Sequence, residues 1–120
     1  MSARGTAAEN GAMGERIAET YLVQKGYALL ARHYRSGHRE IDLVMADGAA
    51  TVFVEVKARS SAAFGAPAEY VDARKRKNLL LAAQAYLLEN GLADGPARFD
   101  VIEVYLAEKR IRHIPDAFGL

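Results

Sequence analysis

The strongest constraint on the fold is a pair of strand-like segments separated by a short turn signal. In residues 40–46 and 51–58 apolar side chains recur at every second position, and Asp47-Gly48 between them is a typical hairpin turn. Successive side chains of a strand point to opposite faces, so the register of the hairpin decides which of them meet. The pattern predicts an antiparallel hairpin in the middle of the chain.

The hairpin places two carboxylates on one face for either of its two-residue turns. With a turn at 48–49, Asp42 lies opposite Glu55 at a Cβ separation of about 5 Å. With a turn at 47–48, the two are diagonal neighbours on the same face. Lys57 shares that face in both registers, whereas a three-residue loop would turn one strand over.

Two opposed carboxylates destabilise a sheet unless a cation lies between them. Mg²⁺, or Mn²⁺, supplies that charge and is bound in proteins through one or two carboxylates plus water and phosphate oxygens. Lys57 beside Asp42 and Glu55 would orient the attacking water or stabilise the charge that develops on phosphate. The set predicts hydrolysis of a phosphodiester; the alternative is a charged strand surface in which Glu55 pairs with Lys57 or an arginine.

The remaining elements predict an α/β domain with a mixed sheet flanked by helices. A helix is expected over about 9–25 and another from an N-cap at Asp72 to Asn90, with strands at 27–34 and 98–106 and a short one at 111–114. The order is α-β-β-β-α-β with one extra strand. Residues 1–11 are expected to form a flexible tail, and 12–120 a single domain.

The composition narrows the function classes. The chain has 120 residues and no cysteine, which excludes disulfides and thiolate metal sites. A net charge of +1 argues against a protein that coats nucleic acid without sequence preference. There is no apolar run of membrane-spanning length and no apolar core of a secretory signal, so we expect a cytoplasmic protein without a membrane partner.

Several motifs resemble those of known nucleases. Asp42 followed by Glu55-Val56-Lys57 resembles the PD-(D/E)XK signature of the restriction-endonuclease-like fold. Over about residues 12–115 the chain resembles the YraN-like family of uncharacterised bacterial proteins with that fold. The segments that carry the second resemblance are Gly14-Glu15, Ala18-Glu19, Tyr21-Leu22, Gly26-Tyr27, residues 39–44, residues 53–57 with Arg59, Phe64-Gly65 and residues 98–101.

The resemblance implies a restriction-endonuclease-like core of order α-β-β-β-α-β and a metal-dependent DNA endonuclease acting on branched or damaged DNA. The chain is also similar to Holliday-junction resolvases, in which a glutamate of the first helix joins the metal site. Glu19 is expected to take that role with Asp42 and Glu55, in preference to Glu15. Junction-cutting relatives act on DNA as dimers, so a homodimer is a further expectation.

Five cationic residues are candidates for contacts with the DNA backbone. Arg35, Arg39 and Arg59 flank the acid pair in the sequence, and Arg74 and Lys75 lie in the first turn of the second helix. Ordinary surface charges explain the first three equally well, and a solvated basic turn is the better explanation for most of the cations at the start of the second helix. Two other functions stay open: a catalytically silent nucleic-acid-binding module, and a protein-interaction or assembly factor that retains the nuclease fold.

Overall fold

The computed structural model describes residues 6–61 and 72–118. Its elements are α1 (Ala7–Gln24), β1 (Ala28–Ser36), β2 (Arg39–Asp47), β3 (Ala50–Arg59), α2 (Ala73–Glu89), β4 (Ala97–Tyr105) and β5 (Arg110–Phe118). The strands form one sheet in the order β1-β2-β3-β4-β5. The predicted order of elements is confirmed, and the short strand expected at 111–114 is the longer β5.

The sheet is mixed because α2 connects β3 to β4. That crossover makes β3 and β4 parallel, while the other three neighbouring pairs are antiparallel. Consecutive residues of β3 belong to two different apolar clusters, so both of its faces are covered. Phe53 packs with residues of α2, whereas Val52 and Val54 pack with residues of α1. The structure is therefore an α/β fold with one helix on each face of the sheet.

Helix α1 begins earlier than the sequence pattern suggested. Thr6 and Glu9 form a capping box, in which Glu9 N–H donates to Thr6 Oγ1 at 3.1 Å and Thr6 N–H donates to Glu9 Oε1 at 3.0 Å. Residues 7–11, assigned to a flexible tail, thus form the first turns of α1. The Phe64-Gly65 motif lies outside the described residues.

Helix α1 approaches β3 closely at one glycine. Gly14, Ala18 and Leu22 form the buried stripe of α1, spaced by four residues. A Cβ on Gly14 would lie 2.6 Å from the Cβ of Ala58, nearer than side-chain atoms pack. The absence of a side chain at Gly14 therefore lets α1 lie against the end of β3 where Val56 and Ala58 are found.

The hairpin has the first of the two predicted registers. Leu43 lies opposite Val54, and the paired residues continue to Asp47 opposite Ala50. The turn is therefore 48–49, where Gly48 has a φ of +59° that favours glycine. The register with a turn at 47–48 is excluded. Neither of the helices in the described part of the chain is long and apolar enough to cross a membrane.

Candidate functional site

Asp42 and Glu55 meet at the point where β2 and β3 cease to pair through their main chains. The register that ends at Leu43 and Val54 places Asp42 opposite Glu55 at the next position. Asp42 Oδ2 accepts a hydrogen bond from the Val56 N–H at 2.8 Å. In an unbroken ladder that N–H would donate to a main-chain carbonyl of β2, so the carboxylate takes the place of a main-chain acceptor.

The environment of this pair favours a proton between the two carboxyl groups. Burial raises the pKa of Asp42 to about 8, aided by a hydrogen bond with Glu55 and by the charge of Glu55, while the Val56 N–H acts in the opposite direction. Glu55 is 4% exposed. Because two like charges cannot easily coexist here, the site has an intrinsic demand for a proton or a cation.

Two lysines supply positive charge to the same carboxylate. Lys75 Nζ, from the first turn of α2, contacts Glu55 Oε2, and Lys57 Nζ lies 4.0 Å from that oxygen. The Lys75 contact is not aligned as a hydrogen bond, so Glu55 Oε2 is buried without one. Burial acts to lower the pKa of Lys75. The contact with Glu55, the charge of Glu55 and the charge of Asp42 outweigh that effect, so the pKa of Lys75 is raised above its ordinary value.

Glu15 is the carboxylate of α1 that interacts electrostatically with the acid pair. Burial is the main cause that raises the pKa of Glu15; the charge of Glu55 adds to it, and the charge of Glu15 in turn raises the pKa of Asp42. Glu19, the expected third ligand, instead accepts two hydrogen bonds from Arg32, at 2.7 and 2.9 Å. That bidentate contact lowers the pKa of Glu19. Glu19 lies about 6 Å further along α1 than Glu15, one turn further from the close approach at Gly14.

A histidine that the sequence did not single out holds Glu15. His33 Nε2 lies 3.0 Å from Glu15 Oε1, and His33 Nδ1 lies 2.8 Å from Glu40 Oε1. His33 has a φ of +51°, rare for a residue with a side chain. No ligand spacing marks this histidine in the sequence, because its partners lie on α1 and β2.

The three arginines expected to flank the pair already have partners. Arg35 lies 3.0 Å from Glu40, Arg39 donates to Asn78 Oδ1 at 3.3 Å, and Arg59 lies 3.9 Å from the buried Glu103. The charges of Arg35 and Arg59 are thus partly balanced by carboxylates, whereas Arg39 contacts a neutral amide. Of the two cations predicted on α2, Lys75 lies on Glu55 and Arg74 is exposed.

A cleft leads from the surface to Lys75. It has a volume of about 340 Å³ and separates the β1–β2 turn from the start of α2. Its lining residues are His38, Arg39, Glu40, Asp72, Arg74, Lys75, Asn78 and Leu79. Cationic side chains therefore approach the cleft from both sides, and one of them also contacts Glu55.

The donor set fits a hard divalent cation, Mg²⁺ or Mn²⁺, better than a metal that prefers histidine or cysteine ligands. Within residues 6–61 and 72–118, no three His, Cys, Asp or Glu side chains come together as a group that would hold a metal. Mg²⁺ does not require such a group, because it keeps several waters and binds through one or two carboxylates. Asp42 and Glu55 provide these, and the buried Glu55 Oε2, which contacts the Lys75 ammonium group without a hydrogen bond, already has a positive charge beside it.

Comparison with known proteins identifies the family. The model of the uncharacterised protein family UPF0102 matches residues 14–104. The chain is 47% identical to a UPF0102 protein of Clostridioides difficile over 110 residues, covering 92% of this chain and 96% of that protein. It is 42% identical to a UPF0102 protein of Chlorobium chlorochromatii over 126 residues, covering 98% and 97%. These matches confirm the resemblance to the YraN-like family, and the chain belongs to the uncharacterised protein family UPF0102.

Proposed function

We propose that the protein is a Mg²⁺- or Mn²⁺-dependent DNA endonuclease with a restriction-endonuclease-like core of the PD-(D/E)XK type. The observation that carries the proposal is the buried pair of Asp42 and Glu55, with Lys57 beside it, where two strands separate. A buried carboxylate pair without enough hydrogen bonds costs free energy, and a dication bound between the two removes that cost. The order α-β-β-β-α-β, which one further strand follows, agrees with the core that the resemblance implies.

Each residue of the site has a definite task in this proposal. Asp42 and Glu55 hold the dication, with Glu15 rather than Glu19 contributing from α1 through charge. A bound dication supplies Lewis acidity to the phosphate and lowers the pKa of a bound water. Lys57 lies beside Glu55, where its ammonium group would stabilise the charge that develops on the phosphate oxygens.

The cleft beside Lys75 is the proposed path of the DNA backbone. Arg39 and Arg74 line it from opposite sides, and phosphates are the groups that such cations bind. Arg35 and Arg59 would add charge further from the acid pair. Branched or damaged DNA as the substrate, and action as a homodimer, rest on the resemblance to resolvases.

The test is cleavage of linear, nicked and four-way DNA in the presence of Mg²⁺ or Mn²⁺. Asp42→Asn and Lys57→Ala are expected to lower the cleavage rate about 100-fold or more. Asp94→Asn, which changes an exposed acid in the turn before β4, is the matched control and should cleave at the wild-type rate. Equal cleavage by Asp42→Asn and the wild type would overturn the proposal.

A second candidate is a nucleic-acid-binding module that does not cleave. The observation that favours it is the contact of Lys75 with Glu55, which already places a positive charge on the carboxylate. Such a module would bind DNA through the cleft, with affinity falling as salt increases, and no metal would produce cleavage. Loss of DNA binding in Arg74→Ala without any cleavage by the wild type would identify it.

A further inference from the structure

We propose that the ammonium group of Lys75 is the counter-ion of Glu55. It occupies the position of the metal beside the acid pair until a divalent cation displaces it. The inference rests on the proposed function, because it concerns how that metal site is loaded. It assigns to Lys75 the role of counter-ion to Glu55 in the metal-free site, in addition to the DNA contact expected from the sequence.

The first support is the nature of the contact between Lys75 and Glu55. Lys75 Nζ lies against Glu55 Oε2, yet this oxygen has no aligned hydrogen bond. A structural salt bridge in a buried site normally adds well-aligned hydrogen bonds that offset the cost of desolvation. The Lys75 ammonium group therefore balances the charge of a buried oxygen that has no aligned hydrogen bond to hold it.

The second support is the balance of charge around the pair. Asp42 and Glu55 are two carboxylates, and two ammonium groups, those of Lys57 and Lys75, already lie near Glu55. A dication added to this set would face both ammonium groups at short range, where repulsion is strong. One ammonium group must therefore withdraw as the dication binds.

The third support is that Lys75 can withdraw more easily than Lys57. The Lys75 side chain is 48% exposed, whereas that of Lys57 is 23% exposed and extends from a central strand. Lys75 also lines the cleft together with Arg39 and Arg74. Its ammonium group can leave Glu55 for the cleft by rotation of the side chain, and there it would meet a phosphate.

The main-chain position of Lys75 need not change in this exchange. Asp72 is the N-cap of α2, and its side chain accepts a hydrogen bond from the Lys75 N–H at 2.8 Å. The cap fixes the backbone of Lys75 and leaves its four-carbon side chain free to select either Glu55 or the cleft. The exchange is therefore confined to one side chain.

The experiment measures Mn²⁺ affinity by calorimetry, and melting temperature with and without Mn²⁺, for the wild type, Lys75→Met and Lys77→Met. Lys77 is an exposed lysine of the same helix, so Lys77→Met removes the same charge away from the pair. We expect Lys75→Met to bind Mn²⁺ about tenfold more tightly than the wild type, because the competing charge is gone. Without Mn²⁺ it should melt below the wild type, and saturating Mn²⁺ should close that gap.

A purely structural role gives a different result. Lys75→Met would then melt below the wild type by the same amount with and without Mn²⁺, and would bind Mn²⁺ no more tightly than Lys77→Met. That result overturns the inference and leaves the proposed metal site intact. Lys75→Arg retains the charge and should restore the wild-type affinity. If none of these proteins binds Mn²⁺, the metal site itself is refuted, and the inference with it.

Discussion

Two buried acid clusters on the same sheet differ in how completely their oxygens are satisfied. Asp100 on β4 is fully buried, and its carboxylate accepts hydrogen bonds from Arg98 Nε at 3.0 Å, from the Asp116 N–H at 3.0 Å and from His113 Nε2 at 2.7 Å. Asp42 has one main-chain donor, and its opposite neighbour Glu55 has a buried oxygen without a hydrogen bond.

The pKa values of the two aspartates move in opposite directions for this reason. Burial acts to raise the pKa of Asp100, but the hydrogen bonds from His113, Asp116 and Arg98 together lower it below its ordinary value. Burial and the neighbouring Glu55 raise the pKa of Asp42. A buried carboxylate whose hydrogen bonds are complete stabilises the fold, whereas an incomplete pair is the one that can accept a ligand.

The largest expected effect is at the complete cluster. Asp100→Asn puts an amide against three donors, and we expect it to lower the free energy of unfolding by about 3 kcal/mol. Urea denaturation at neutral pH measures this, with Asp94→Asn as a control that stays within about 0.5 kcal/mol of the wild type. A loss below about 1 kcal/mol for Asp100→Asn would show that its hydrogen bonds contribute little.

A substitution in the incomplete pair is expected to raise the free energy of unfolding, and only above acidic pH. The pKa of Asp42 is about 8 in the folded chain and 3.8 unfolded, so the folded state binds more protons between these values and wild-type stability falls as the pH rises through them. Asn at position 42 has no proton to lose. With a chelator present, Asp42→Asn should therefore exceed the wild type in unfolding free energy by about 2 kcal/mol at pH 8.5.

The measurement for this prediction is urea denaturation at pH 4 and at pH 8.5. The advantage of Asp42→Asn should be absent at pH 4, where the wild-type carboxyl group is protonated in the folded chain. Asp94→Asn should differ little from the wild type at both values. An advantage of Asp42→Asn that is equal at the two pH values would show that the carboxyl group is not the cause.

The smallest expected effect is on the contact that brings α1 to the incomplete pair. Gly14→Ala gains up to about 1 kcal/mol of helix propensity, but its Cβ would lie 2.6 Å from the Ala58 Cβ, and overpacking of this kind costs about 1–3 kcal/mol. Ala58 is part of β3 and cannot move independently, so we expect a net loss of about 1 kcal/mol.

A matched control for this contact lies on the same helix. Gly11 has no atom within 4 Å of the position of an added Cβ, so Gly11→Ala should gain stability from helix propensity alone. Thermal unfolding of both variants separates propensity from packing. If Gly14→Ala is stabilised as much as Gly11→Ala, the close approach of α1 to β3 is not a constraint.

Much of the fold was predictable because it depends on local patterns. The spacing of apolar residues indicated both helices and all the strands, and the turn at 48–49 was one of two registers that short hairpins allow. The early start of α1 is also encoded in the sequence, since Thr6 and Glu9 have the spacing of a capping box.

The site was predictable only where its members share one hairpin. Asp42, Glu55 and Lys57 lie on two adjacent strands, so register arithmetic was sufficient to bring them together. Glu15 and Lys75 reach the pair from α1 and α2, and no sequence spacing measures the distance between a helix and a sheet. Glu19, which the resemblance favours over Glu15, is held by Arg32, and no spacing in the sequence indicates that contact.

The sequence by itself determined the alternation of strands and, for either two-residue turn, the shared face of two carboxylates and a lysine, because these depend on the two-residue period of a strand. The structure selected the register. The tertiary structure decided which charges surround that face. Donors from elements distant in the chain decide whether a buried carboxylate has all its hydrogen bonds. Asp100 has them, whereas the Asp42–Glu55 pair does not and favours a bound cation. Burial then sets how much each missing hydrogen bond costs.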